Sequence, residues 1–144
     1  MEADNYKRGN PLLHGRTGVV EVAKFIVNYD DTSPLILCTA EDGDGISSIV
    51  VKVTEAWNDS NKALTIGDAA NPDGFAEDIG AGLGTPGYYN LDHDVWGAYL
   101  WHAAGSHQLT KVYDTQTNII ATFVGDADGS TGICEVYLVH QHFN

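Results

Sequence analysis

Apolar residues in this chain recur at every second position in short runs, the pattern of β-strands with one buried face. The clearest run is 46–57, and its apolar face carries Ile49, Val51, Val53 and Trp57. A polar turn follows, and the chain returns through residues 63–66, which predicts a β-hairpin. No segment shows the 3.6-residue period of an amphipathic helix, and 75–87 is too rich in glycine for more than one short helical turn near 75–79.

Other short runs of strand character are separated by Gly, Asp and Asn, residues that favour tight turns. They are 19–27, 35–39, 88–91, 96–101, 108–113, 118–124 and 133–143. The last run carries apolar residues on both faces, so we expect it to be buried on both sides or to meet another subunit. Such a series of strands predicts an all-β domain, either an antiparallel β-sandwich or a barrel.

Residues 1–16 differ from the rest of the chain. They are polar, lack a period, and contain three of the seven basic residues, Lys7, Arg8 and Arg16. We predict an extended N-terminal arm at 1–16 and one β-domain at 17–144, with a disordered terminus as the alternative. The basic bias of the arm suggests docking on an acidic neighbour.

Charge narrows the choice of partners. The chain has 144 residues and a formal net charge of −13, from 20 Asp and Glu against 7 Lys and Arg. Nucleic acid and anionic membranes are therefore not expected partners, because phosphate binding needs clustered basic residues. Solubility is the simplest role of this charge, and a positive partner surface or bound cations are the alternatives. No signal peptide or membrane span is predicted, so we expect synthesis in a cytoplasm.

Three acidic loops, at 42–44, 68–73 and 126–129, are the first candidates for chemistry. Calcium takes oxygen ligands from such loops, but the glutamate and flanking helices of an EF-hand are missing. We expect plain turns and no cofactor, and a structural cation is the alternative. Cys38 and Cys134 lie in apolar runs, which predicts inert buried thiols. A disulfide between them would require neighbouring strands.

Catalytic constellations are absent from the sequence. It contains no G-x-S-x-G nucleophile elbow, no HExxH motif and no phosphate-binding loop. We therefore predict that the chain is not an enzyme and has no catalytic residues.

Aromatic and histidine residues in the last third are candidates for contact with a ligand or another subunit: Trp96, Tyr99, Trp101, His140 and His142. The aromatic residues could form a sugar-binding surface, with core packing as the alternative. An H-x-H pair on a strand points both imidazoles to one face and could chelate zinc with a third ligand such as His102. Histidines at the surface or at a subunit contact are the expected case, so we predict no metal site.

From Ile46 to Val139 the chain resembles tailed-phage virion structural proteins of the capsid decoration (cement) or head-fibre type. The segments that carry the resemblance are 49–57 (IVVKVTEAW), 64–74 (LTIGDAANPDG), 87–89 (GYY), 120–124 (IATFV) and 134–139 (CEVYLV). Residues 92–107 lie outside it. The resemblance implies a small jelly-roll-like β-sandwich displayed on a phage particle, with no catalytic residues.

The resemblance also implies a role. It suggests a decoration protein of the virion that binds the major capsid protein on the outer surface of the head and stabilises it as a homotrimer. The arm would then supply capsid-binding residues: Tyr6, Lys7, Arg8, Leu12, Leu13 and Arg16. The alternative is a carbohydrate-binding or host-attachment module of a phage fibre or tail.

Overall fold

A computed structural model of the chain describes residues 19–90, 95–124 and 129–143. These residues form ten β-strands and a 3₁₀ turn at Gly80–Gly84, without an α-helix. The strands are β1 (Glu21–Asn28), β2 (Leu35–Ala40), β3 (Asp44–Glu55), β4 (Ala63–Gly67), β5 (Gly87–Asn90), β6 (Trp101–His102), β7 (His107–Gln108), β8 (Lys111–Val112), β9 (Thr117–Val124) and β10 (Ile133–His142). The predicted arm at 1–16 lies outside the described residues.

Two antiparallel sheets make up most of the fold. One has the order β1-β10-β3-β5, with β8 also paired to β3, and the other has the order β2-β9-β4. Strands β1 to β4 alternate between the sheets, the first strand pairs with the last, and the second pairs with the last but one. This nested order is that of a jelly roll. The predicted all-β sandwich is therefore confirmed.

The core lies between the inner faces of the sheets. A row of inward residues crosses three strands of the larger sheet, from Phe25 to Val136 to Val51, and all three are buried. The smaller sheet contributes Leu64 and Phe123, which are paired across β4 and β9. These strands form where they do because alternate apolar residues can all point into this layer.

The predicted hairpin between 46–57 and 63–66 is wrong. Strand β3 pairs with β10 and β5, whereas β4 pairs with β9 in the other sheet. The segment between β3 and β4 crosses from one sheet to the other, so the buried faces of the two strands meet across the core. Alternation shows which face of a strand is buried, and it does not show which strand lies beside it.

The predicted strand at 96–101 is also mostly wrong, since only Trp101 belongs to a strand. Gly97 lies against the chain at 73–74, where a Cβ atom would overlap the carbonyl oxygen of Asp73. The Tyr99 N–H donates a hydrogen bond to the Gly74 carbonyl at 2.8 Å. These contacts turn the segment over the preceding loop. Likewise, the one helical turn of the glycine-rich segment falls at Gly80–Gly84 and not near 75–79.

None of the helical segments among the described residues is long and apolar enough to cross a membrane.

Candidate functional site

The loop that follows β4 is organised around the buried carboxylate of Asp68. Its Oδ1 atom accepts hydrogen bonds from the Asn71 backbone N–H at 2.9 Å and from the Tyr99 hydroxyl at 3.0 Å. Its Oδ2 atom accepts one from the Tyr113 hydroxyl at 2.7 Å. Because Asp68 is only 2% exposed, these donors replace the water that a charged carboxylate would otherwise need. The loop is a turn held by its own side chain.

Two tyrosine rings enclose this carboxylate. Both lie against Phe75, with ring centroids 5.3 Å (Tyr99) and 6.5 Å (Tyr113) away, and Lys111 Nζ lies 4.4 Å from the centre of the Tyr99 ring. Burial, followed by the hydrogen bond to Asp68, raises the pKa of Tyr99 to about 12. The same two causes raise the pKa of Tyr113. Both hydroxyls therefore remain protonated donors at neutral pH.

A second acidic loop lies at the same end of the sandwich. Asp44 is fully buried, its Oδ2 atom accepts the Glu41 backbone N–H at 2.8 Å, and its Oδ1 atom lies 2.9 Å from His142 Nδ1. The Tyr113 N–H donates to the Asp44 carbonyl at 2.9 Å, so Tyr113 joins this loop to Asp68. Within the described ranges, no group of three or more His, Cys, Asp or Glu side chains could hold a metal ion. Asp126 and Asp128 lie outside those ranges.

The five candidate contact residues do not form one open surface. Tyr99 and His142 belong to the polar network around Tyr113, and Trp96 is half-buried against the core, where it pairs with Ala76. Trp101 is half-buried in the hairpin formed by β6 and β7. His140 is fully buried, which leaves no surface on it for a ligand or a second subunit. The candidate arm residues, Tyr6, Lys7, Arg8, Leu12, Leu13 and Arg16, lie outside the described part of the chain.

Both cysteines are buried free thiols, as the sequence predicted. Burial is the largest influence on each, and it raises the pKa of Cys134 to about 12 and raises the pKa of Cys38. Because the thiolate is the reactive form, neither residue is suited to nucleophilic chemistry at neutral pH.

The outward-facing side of the larger sheet, here called the outer face, holds the surface that sequence reasoning missed. It comprises Val22, Lys24 and Ile26 of β1, Glu135, Tyr137 and Val139 of β10, Ser48, Val50 and Lys52 of β3, and Tyr88 of β5. Several of these are exposed although they are large and apolar: Val22 at 41%, Ile26 at 45% and Tyr88 at 69%. One feature of the sequence pointed to this surface. The last strand has a second apolar face, and that face contributes Tyr137 and Val139.

Charged residues on the outer face form a connected group. Glu135 lies 3.3 Å from Lys24 Nζ and 3.8 Å from Lys52 Nζ, so one carboxylate is shared by two lysines. Lys52 Nζ also lies 5.1 Å from the centre of the Tyr88 ring. A hydrogen bond with Tyr88 is the largest influence on Lys52 and raises its pKa. The group therefore keeps an excess of one positive charge on a strongly acidic protein.

Comparison with known proteins identifies a shared fold. No protein-family model and no curated protein matches the chain. Among solved structures, the chain is similar to a chain of the capsid asymmetric unit of cyanophage Pam1, with a TM-score of 0.61 at 17% sequence identity. The alignment covers 91% of this chain and 90% of that chain, so the two have nearly the same length. At this level of identity, the similarity shows that both chains have the same jelly-roll sandwich fold.

Proposed function

We propose that this chain is a phage capsid decoration protein that binds the outer surface of the head and stabilises it as an oligomer. The observation that carries the proposal is the full-length similarity to a chain of a phage capsid asymmetric unit. Because nine tenths of each chain is aligned, the match is to a whole small subunit and not to one domain of a much larger shell protein. The resemblance of residues 46–139 to virion proteins supports the same class.

The environment of the reactive groups supports a role without catalysis. The buried carboxylates of Asp44 and Asp68 accept hydrogen bonds that hold loops together, and the two thiols stay protonated. A catalytic group needs access to a substrate, which these buried groups lack, and burial also raises the pKa of both thiols. We therefore propose that the chain acts by binding alone.

Binding of this kind would stabilise a head by linking neighbouring capsid subunits, so that they cannot separate independently under internal pressure. Exposed apolar and aromatic side chains would supply contact area, and the arm at 1–16 would extend the contact to the major capsid protein. Fixing any chain segment on a partner costs entropy, so residues 1–16 would have to make enough contacts to offset that cost.

The test is reconstitution. Heads purified without the protein are incubated with the chain, imaged by electron cryomicroscopy, and heated with a dye that reports DNA release. We expect regularly placed density on the outer surface and a higher temperature of DNA release than in undecorated heads. If the heads carry no added density and release DNA at an unchanged temperature when the chain is present at micromolar concentration, the proposal is contradicted. Density on the tail, together with binding to a glycan array, would favour the carbohydrate-binding or host-attachment alternative.

A further inference from the structure

The charge of the outer face differs in sign from that of the whole chain. The face carries two lysines, Lys24 and Lys52, and one carboxylate, Glu135, whereas the chain has 20 Asp and Glu against 7 Lys and Arg. Two copies, each with a net charge of −13, repel each other wherever the acidic surface of one approaches the acidic surface of the other. Electrostatic repulsion opposes a contact between two copies least where one of the two contacting surfaces carries more lysines than carboxylates.

We propose that the outer face is a self-association surface that receives an acidic surface of a second copy of the chain. This inference rests on the proposed function for the expectation that copies associate. The contact is heterologous, meaning that two different surfaces meet, and such contacts generate closed rings when the rotation between copies closes. Two outer faces packed on each other would instead place the lysine groups of both copies together, which like-charge repulsion opposes.

The apolar residues of the face are arranged to anchor such a contact. One row crosses four of the five strands of the larger sheet, from Ile26 through Glu135 and Lys52 to Tyr88. At 69% exposure, Tyr88 presents the kind of side chain that dominates binding energy at interfaces. Glu135 and Lys52, paired in the middle of the row, can be covered at lower cost than isolated charges.

The size of the face also fits part of an interface. Five residues from each of β1, β10 and β3, at about 4.8 Å between strands and about 3.3 Å per residue, give a sheet face of roughly 250 Å², and Tyr88 of β5 extends it. A standard interface takes about 800 Å² from each partner, so the outer face supplies about a third of it. Segments next to the outer face would have to supply the remainder.

Two matched pairs of variants test the proposal by sedimentation equilibrium of the full-length chain. Val22→Glu places a carboxylate on the outer face, where it would repel an acidic partner surface, and Ile36→Glu makes the same change in β2 of the other sheet; both residues are 41% exposed. We expect the dissociation constant of the oligomer to rise at least tenfold in Val22→Glu and less than twofold in Ile36→Glu. Circular dichroism confirms that both variants are folded.

The second pair of variants distinguishes the effect of a charge on the outer face from the effect of the net charge of the chain. Lys52→Gln and Lys62→Gln remove the same charge, but Lys62 lies away from the outer face and contacts the Asp59 carbonyl. We expect only Lys52→Gln to weaken association beyond twofold. Equal effects within either pair, or a wild-type chain that stays monomeric at several hundred micromolar, would overturn the proposal.

Binding to heads distinguishes this inference from the proposed function. If Val22→Glu loses attachment to heads but self-associates like the wild type, the outer face meets the shell and the inference is wrong. If the wild type associates through this face but never binds heads, the inference stands and the decoration function fails.

Discussion

Tyr113 joins the two acidic loops, and removing its hydroxyl group tests how much that connection stabilises the fold. Tyr113→Phe deletes the 2.7 Å hydrogen bond to Asp68 Oδ2 and leaves the ring in its place beside Phe75. Asp68 is 2% exposed, so water has little access to replace the lost donor. In the variant, the Oδ2 atom of the buried Asp68 carboxylate therefore lacks the hydrogen bond that the Tyr113 hydroxyl donates.

The magnitude follows from this burial. A hydrogen bond to a charged group contributes about 1.5–3 kcal/mol, and we expect Tyr113→Phe to cost about 2–3 kcal/mol because Asp68 remains buried. With an unfolding entropy of about 2.1 cal/mol/K per residue, this loss lowers the Tm by roughly 7–10 °C. Tyr99→Phe is the matched control on the same carboxylate. Its loss is about 1 kcal/mol, because Oδ1 keeps the Asn71 N–H and Tyr99 is only half-buried.

The assay is urea and thermal unfolding at pH 7, followed by circular dichroism and tryptophan fluorescence. All variants are compared at one low chain concentration, because self-association would stabilise the folded state by mass action. The loss of this hydrogen bond should lower the free energy of unfolding by more than about 1.5 kcal/mol. A Tyr113→Phe variant whose free energy of unfolding lies within about 0.5 kcal/mol of the wild type would refute the reasoning. So would a Tyr99→Phe variant that is less stable than Tyr113→Phe.

Three further predictions concern pH, thiol access and the arm. The free energy of unfolding should fall as pH rises from about 10 towards 12, because the raised pKa values of Tyr99 and Tyr113 make the folded state keep protons that the unfolded chain releases. Urea titrations at pH 9 and pH 11 measure this fall, and an equally steep fall in Tyr113→Phe would contradict the assignment. Cys38 and Cys134 should react with Ellman's reagent at pH 8 only after unfolding, and rapid reaction of the native protein would show that the thiols are accessible. Deleting residues 1–16 should weaken attachment to heads without changing the Tm, and full attachment by the shortened chain would exclude a role for the arm.

Strand positions could be predicted from the sequence where one face is buried. The alternation in 46–57 matches β3 closely, because each inward residue has to fill the same apolar layer, and the run 133–143, which is apolar on both faces, matches β10. Strand neighbours could not be predicted in this way. The proximity of 46–57 and 63–66 in sequence suggested a hairpin, yet β4 pairs with β9, more than fifty residues later.

The candidate site was harder to predict for a related reason. Tyr99 was predicted only as a possible ligand or subunit contact, and nothing in the sequence indicated that its hydroxyl reaches Asp68, 31 residues earlier in the chain. Tyr113 reaches the same carboxylate across 45 residues. Such long-range hydrogen bonds leave no periodic trace in the sequence. The outer face was missed because Val22 and Ile26 alternate with core residues, and a strand with apolar residues on both faces can equally well be central and fully buried.

The position of β10 has a consequence for how the protein is made. This strand lies between β1 and β3, although its residues are the last of the ten strands to leave the ribosome. Until they emerge, neither neighbour has the partner that completes the larger sheet, and pairing over such long sequence separations is slow. We therefore expect growing or truncated chains to lack a formed outer face. If the proposed function is right, only chains that contain β10 would join an oligomer on a particle through this face.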